Sequence, residues 1–178
     1  MSRIILVTGG ARSGKSRFAE RLALTFGTPL GYLATCESLD TEMDERVERH
    51  RKRRGLEWMT IEEPLRLTEM LSANDGRFRA VLVDCVTLWL SNLLLAHEKP
   101  ERVMATVREL VEAAPKFVTP LIFVTNEVGM GIVPENRLAR RYRDLVGICN
   151  QSLGREADLV LMITCGIPMP LKGEKILP

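Results

Sequence analysis

Ile4-Ile5-Leu6-Val7-Thr8-Gly9-Gly10-Ala11-Arg12-Ser13-Gly14-Lys15-Ser16 is the stretch that decides the fold. Its first part is short, apolar and β-branched, as a buried parallel strand requires. Its last eight residues have the spacing G-x-x-x-x-G-K-S, and the segment from Ser16 to Phe26 places Phe18, Leu22 and Phe26 at helical intervals. Glycines between a strand and a helix let the backbone curl so that successive N–H groups converge on a phosphate, where the helix N-terminus adds partial positive charge. In such a loop Lys15 reaches the β- and γ-phosphates and the Ser16 hydroxyl meets Mg²⁺. A glycine-rich turn can match by accident, but the flanking strand and helix argue for a nucleoside triphosphate site.

Outward from the loop, apolar β-like runs recur at Gly31–Ala34, Ala80–Asp84, Leu121–Thr125 and Leu159–Ile163, with Glu57–Glu62 a weaker alternating candidate. Helical patterns separate most of them, over 16–26, 40–53, 64–72, 87–96, 101–113 and 135–154. Strands alternating with helices imply an α/β fold, a mostly parallel sheet with helices on both faces, here of the P-loop NTPase (RecA-like) kind. The expectation is a single P-loop nucleotide-binding domain over residues 1–178, since Pro115 to Pro120 is too short for a linker and no repeat or low-complexity segment is visible. In such sheets ligands bind outside the carboxyl ends of the strands.

Composition narrows the classes. With 46% hydrophobic and 27% charged residues the chain is ordinary for a globular protein, and a net charge of +2 gives no footprint for nucleic acid. The longest apolar helix-like run, Leu88 to Ala96, is far short of the roughly 20 residues of a membrane span. The first apolar run flows into the phosphate loop, so a cleaved signal peptide is not expected. Cys36, Cys85, Cys149 and Cys165 form no C-x-x-C pair; free thiols in a reducing cytoplasm are the economical reading.

Three further features bear on chemistry. Ala80-Val81-Leu82-Val83-Asp84 is an apolar strand ending in a carboxylate, placed to hold Mg²⁺ or its waters beside the loop, or else to cap the helix that follows. Glu62 closes the weaker strand and faces either the site or solvent. The segment from Asp40 to Arg54 begins acidic and ends His50-Arg51-Lys52-Arg53-Arg54. That order complements a helix dipole, with Asp40 as cap, and a solvated helix is the plain reading. Beside a triphosphate site, however, arginine forks suit phosphate oxygens and an imidazole nitrogen is a competent nucleophile toward phosphorus. The other histidine, His97, ends an apolar helix and reads as a surface residue.

These residues together resemble a known family, the bifunctional adenosylcobinamide kinase/adenosylcobinamide-phosphate guanylyltransferases of cobalamin biosynthesis. The likeness rests on the loop Gly9 to Ser16, Tyr32-Leu33-Ala34-Thr35, the Glu42-Met43 to His50-Arg51 segment, Trp58-x-Thr60-x-Glu62 and Val83-Asp84-Cys85-Val86-Thr87-Leu88-Trp89. Its most specific block is Thr125-Asn126-Glu127-Val128-Gly129-Met130-Gly131-Ile132-Val133-Pro134 followed by Glu135 to Arg141, continuing to Arg143-Asp144-Leu145 and Asn150-Gln151. Read from the residues alone, this block is a strand-to-helix loop on the functional edge, with Pro134 suited to the first helical turn; Arg137, Arg140 and Arg141 face a phosphate, a partner subunit or, by default, solvent. The likeness runs in collinear order from about residue 4 to 172. Gly55, where many relatives carry proline, is a departure that leaves His50 and Arg54 untouched.

The resemblance implies that a nucleoside triphosphate phosphorylates adenosylcobinamide. GTP then donates GMP to adenosylcobinamide phosphate through a GMP–histidine intermediate, giving adenosylcobinamide-GDP and pyrophosphate. It places that intermediate on His50, with Lys15 as the second catalytic residue. It implies nucleotide contacts at Gly9, Gly10, Ala11, Arg12, Ser13, Gly14, Lys15, Ser16, Ala34, Thr35, Cys36, Arg51, Lys52, Arg53, Arg54, Glu62 and Asp84. Ser16 and Asp84 are the metal positions, and the implied cofactors are GTP, ATP and Mg²⁺. It further implies a homotrimer, while composition gives the expectation of a cytoplasmic protein that binds no nucleic acid and spans no membrane. A simple P-loop small-molecule kinase would use Lys15, Ser16 and Asp84 but leave His50 idle. A nucleotide-switched assembly module would need a partner-binding segment that the chain does not show.

Overall fold

The computed structural model describes residues 3–36, 55–97 and 99–174. The expected helix over 40–53, with His50 and the basic run Arg51–Arg54, lies outside the described residues. Among those described, the chain runs β1 (Ile4–Gly9), α1 (Lys15–Leu24), β2 (Leu30–Ala34), β3 (Trp58–Glu62), α2 (Leu67–Ala73), β4 (Ala80–Asp84), α3 (Val86–Ala96), α4 (Pro100–Ala113), β5 (Leu121–Val124), α5 (Arg137–Glu156), β6 (Leu159–Thr164) and β7 (Ile167–Lys172).

The strands form one sheet in the order β3-β2-β4-β5-β1-β6-β7, with only the β6–β7 pair antiparallel. Strands β1 and β5 are buried along their whole length, which is why they read as unbroken apolar runs rather than alternating ones. On one face α1 lays Phe18, Ala19, Leu22 and Ala23 against Ile5, Val7, Leu82 and Val124. On the other face α2, α3, α4 and α5 pack Leu71, Trp89, Val107 and Val146 against Leu6, Val83 and Phe123. The mostly parallel sheet with helices on both faces is therefore as expected.

The start of the last helix and one strand differ from the sequence reading. The helix expected from 135 begins at Arg137, because Asn136 caps it by accepting from Leu138 N and Ala139 N; Pro134 stands before the helix, not in its first turn. The strand β7 was not anticipated. It returns from β6 through Cys165 and Gly166, both at positive φ (52° and 79°), the backbone of a two-residue hairpin turn. Its sequence Ile167-Pro168-Met169-Pro170-Leu171-Lys172 carries two prolines, which only an edge strand tolerates. A two-residue turn makes Thr164–Ile167 a hydrogen-bonded pair, so the N–H groups of Ile167 and Met169 face β6 and positions 168 and 170 face outward. Proline at those two positions leaves the outer edge without donors there, which blunts it against pairing with another strand.

Candidate functional site

The phosphate-loop segment leaves β1 at Gly9 and turns back at Ser13, whose N–H donates to Gly10 O at 3.3 Å. Gly14, at φ 93°, opens α1 with no side-chain cap and no acidic residue in the first turn, so the helix N-terminus is left to an external anion. Arg12 holds the left-handed region at φ 56°, a conformation that costs a non-glycine residue energy and is typical of binding loops. The Lys15 side chain is buried beneath the loop, its Nζ donating to Gly10 O at 3.0 Å. Ser13 Oγ is buried without a hydrogen-bond partner, and Ser16 is half-buried in the first turn of α1. The loop is backed by the β6–β7 turn, where Gly166 N donates to Ser13 O at 2.9 Å.

Register brings the predicted carboxylates to the same edge. Glu62, Ala34, Asp84, Val124 and Val7 form one row across β3, β2, β4, β5 and β1; the first four are the last residues of their strands, and Val7 lies just before Thr8 and Gly9 close β1. Residues in one row point to one face, which is the face α1 covers. Asp84 is half-buried, and its Oδ2 accepts from Tyr32 Oη at 3.0 Å. It is not the helix cap: Cys85 is, its Sγ accepting from Leu88 N at 3.4 Å. Strand β4 is separated from β1 by β5, yet Asp84 and Lys15 act on a common neighbour. Burial pushes the Cys85 thiol up to about 11, the Asp84 carboxylate adds to the rise, and the Lys15 ammonium opposes it. Glu62 is exposed at the sheet edge. Thr35 is buried and clamps β2 to β4, its Oγ1 donating to Cys85 O at 2.8 Å and accepting from Cys85 N at 2.9 Å. Ala34 and Cys36 flank it, each partly exposed.

A second polar cluster occupies the opposite side of β1. Past the end of β5, Thr125 N donates to Val7 O at 3.0 Å and Glu127 N to Gly9 O at 3.2 Å, so this segment continues along β1 to the first loop glycine. The Glu127 carboxylate accepts from Thr8 Oγ1 at 2.7 Å and from Asn150 Nδ2 at 3.3 Å. Asn150, on α5, is fixed by Thr125 Oγ1 at 2.7 Å and by Asn126 O at 3.2 Å. Asn126 donates to Thr87 Oγ1 at 2.7 Å, and Tyr142 Oη donates to Thr87 O at 3.0 Å. Beyond it, Arg140 donates to Pro134 O and Glu135 O, and Arg143 to Gly129 O, stapling the loop to α5. These bonds join residues up to 119 positions apart, and only the placement of Asn126 and Glu127 on the edge was visible in the sequence.

The structure thus gathers Gly9 to Ser16, Ala34, Thr35 and Asp84 at one edge, with Glu62 at its far end. His50, Arg51, Lys52, Arg53 and Arg54 lie outside the described residues. All four cysteines are free thiols. Among the described residues no group of three or more metal-ligating side chains exists; magnesium bound to substrate phosphates needs only one or two protein oxygens. A strand-end carboxylate with one oxygen spoken for, facing the side of a hydroxyl at the helix start, has the chemistry for that role.

Phosphate loop, buried lysine and strand-end aspartate on a sheet of this order define a P-loop nucleotide-binding protein. The crystal structure of the RadB recombinase shares the fold, with a TM-score of 0.50 at 16% identity over 90% of this chain and 73% of that one. The chain belongs to the family described as cobinamide kinase / cobinamide phosphate guanyltransferase, whose model matches residues 5–171. It is 44% identical to the bifunctional adenosylcobalamin biosynthesis protein CobP of Pseudomonas aeruginosa, over 96% of this chain and 98% of that protein. It is 40% identical to the bifunctional adenosylcobalamin biosynthesis protein CobU of Escherichia coli, over 95% and 99%.

Proposed function

We propose that this protein catalyses two successive reactions, phosphorylation of adenosylcobinamide by a nucleoside triphosphate and transfer of GMP from GTP to the resulting phosphate. The observation that carries the reading is membership of the family along nearly the whole chain, with the phosphate loop intact. In the first reaction the loop N–H groups and Lys15 hold the triphosphate and neutralise charge as it moves to the leaving oxygen. Ser16 and Asp84 are the residues that would hold Mg²⁺, which supplies further neutralisation of the phosphate oxygens. In the second, the imidazole of His50 attacks the α-phosphorus of GTP and pyrophosphate departs. An oxygen of adenosylcobinamide phosphate then attacks the same phosphorus, giving adenosylcobinamide-GDP and releasing the histidine. GTP and the substrate phosphate therefore need not be brought together in one step. Arg51, Lys52, Arg53 and Arg54 would offset the charge of triphosphate and pyrophosphate.

The described strands all join one sheet with the helices packed on its faces, which supports a single domain; its four free thiols are in keeping with a reducing cytoplasm. Among the described residues no helix is long and apolar enough to cross a membrane. The exposed Met130, Ile132 and Val133 between β5 and α5 are suited to burial between copies, in keeping with a homotrimer. Chromatography with mass detection tests the reading: adenosylcobinamide with ATP should yield a phosphate, and adding GTP should convert it to adenosylcobinamide-GDP. Phosphate without the GDP adduct would reduce the protein to a kinase, and neither product would refute the proposal.

A further inference from the structure

We infer that Glu127 is the general base of the phosphorylation step, accepting the proton of the substrate hydroxyl as its oxygen attacks the γ-phosphorus. This rests on the proposed kinase reaction. Three observations carry it. Glu127 abuts the start of the phosphate loop, its N–H bonded to Gly9 O at 3.2 Å. Its carboxylate is oriented, one oxygen held by Thr8 Oγ1 at 2.7 Å and Asn150 Nδ2 at 3.3 Å, while the other has no hydrogen-bond partner among the described residues. Finally, no salt bridge among the described residues pairs it with a cation.

An unpaired carboxylate beside a loop built for anions opposes triphosphate binding by like-charge repulsion. Among the described residues nothing in the packing requires the charge, since a neutral amide would accept the same two hydrogen bonds. The charge has a use if a proton must be removed there. The other strand-end carboxylates are placed differently. Asp84 bonds Tyr32 on the face of α1, and Glu62 lies on β3, four strands away from β1. In the step, the substrate O–H bond breaks toward the partnerless Glu127 oxygen, the new O–P bond forms, and the bond to the β-phosphate oxygen breaks to release the diphosphate. The proton then passes to water.

Guanylyl transfer distinguishes this role from a structural one, because its acceptor is a phosphate already ionised and needs no base. The full-length protein and Glu127→Gln are compared on phosphorylation of adenosylcobinamide and on guanylyl transfer to supplied adenosylcobinamide phosphate. The ratio of the first rate to the second should fall roughly 100-fold or more, with nucleotide affinity equal or tighter. Glu127→Asp should recover part of the ratio. Thr8→Val, which removes the orienting hydroxyl but keeps the carboxylate, should lower the ratio about tenfold and decides the matter if the Gln variant does not fold. An unchanged ratio, or equal loss of both rates, overturns the inference. Absence of phosphorylation in the unsubstituted protein would instead refute the kinase reading itself.

Discussion

Replacing Gly9 with alanine should damage the protein at the root of its phosphate loop, whereas the same change one residue later should not. A Cβ on Gly9 would lie 2.4 Å from Ile163 O and 2.8 Å from Ser13 Oγ, where real Cβ atoms stay beyond 3.0 Å. The first of these is backbone: Gly9 and Ile163 are register partners on β1 and β6, so relief requires these two neighbouring strands to part. Overpacking of this kind costs about 1–3 kcal/mol, and a φ of 152° adds about 1–3 kcal/mol for a residue with a side chain. At roughly 2–4 °C per kcal/mol for a chain of this size, the melting temperature should fall by at least about 4 °C. Gly10 has open space around its Cβ position, so Gly10→Ala should shift melting by no more than about 2 °C either way. Thermal unfolding by circular dichroism reads both. Equal melting of the two variants would refute the claim that the loop is pinned against β6.

Lys15→Ala should lower the rate of triphosphate use roughly 100-fold or more, measured as phosphate transfer at saturating nucleotide, since a charge contact is removed where negative charge develops. Asp75 accepts from the N–H groups of Gly76, Val118 and Thr119; burial works against its charge, but these bonds outweigh it and hold its carboxyl below the ordinary 3.8. A lowered folded value contributes stability that is present above 3.8 and lost as pH falls through the folded value, so Asp75→Asn should destabilise the protein at neutral pH and progressively less in acid denaturation below 3.8. Cys165 is exposed whereas Cys85 and Cys149 are buried with raised thiol values, so iodoacetamide at pH 8 should label Cys165 rapidly and the buried pair only on unfolding, as peptide mapping would show.

The parallel core was legible because its strands are buried on both faces. Leu6-Val7 and Ile122-Phe123 announce themselves by unbroken apolar runs, and Lys15 and Ser16 follow from the loop spacing. The order of the strands was not legible, since alternation along the chain is silent about β5 lying between β1 and β4. Strand β7 escaped because Pro168 and Pro170 contradict a strand unless its outer edge is known to face solvent. The start of α5 was misplaced because Pro134 competes with Asn136 as a helix signal, and the two hydrogen bonds to the Asn136 side chain decide between them. The Thr8–Glu127–Asn150 cluster joins three distant segments, and no local pattern encodes that meeting.

Covalent guanylylation of the protein is the most direct test of the two-reaction scheme. Incubation with α-labelled GTP should leave label on the intact chain, stable to alkali and broken by acid as a nitrogen–phosphorus bond is, and mapping to the peptide that carries His50. His50→Asn should abolish this label while phosphorylation of adenosylcobinamide by ATP continues. A protein that phosphorylates its substrate but never retains label, or whose label survives in His50→Asn, would contradict the two-reaction account.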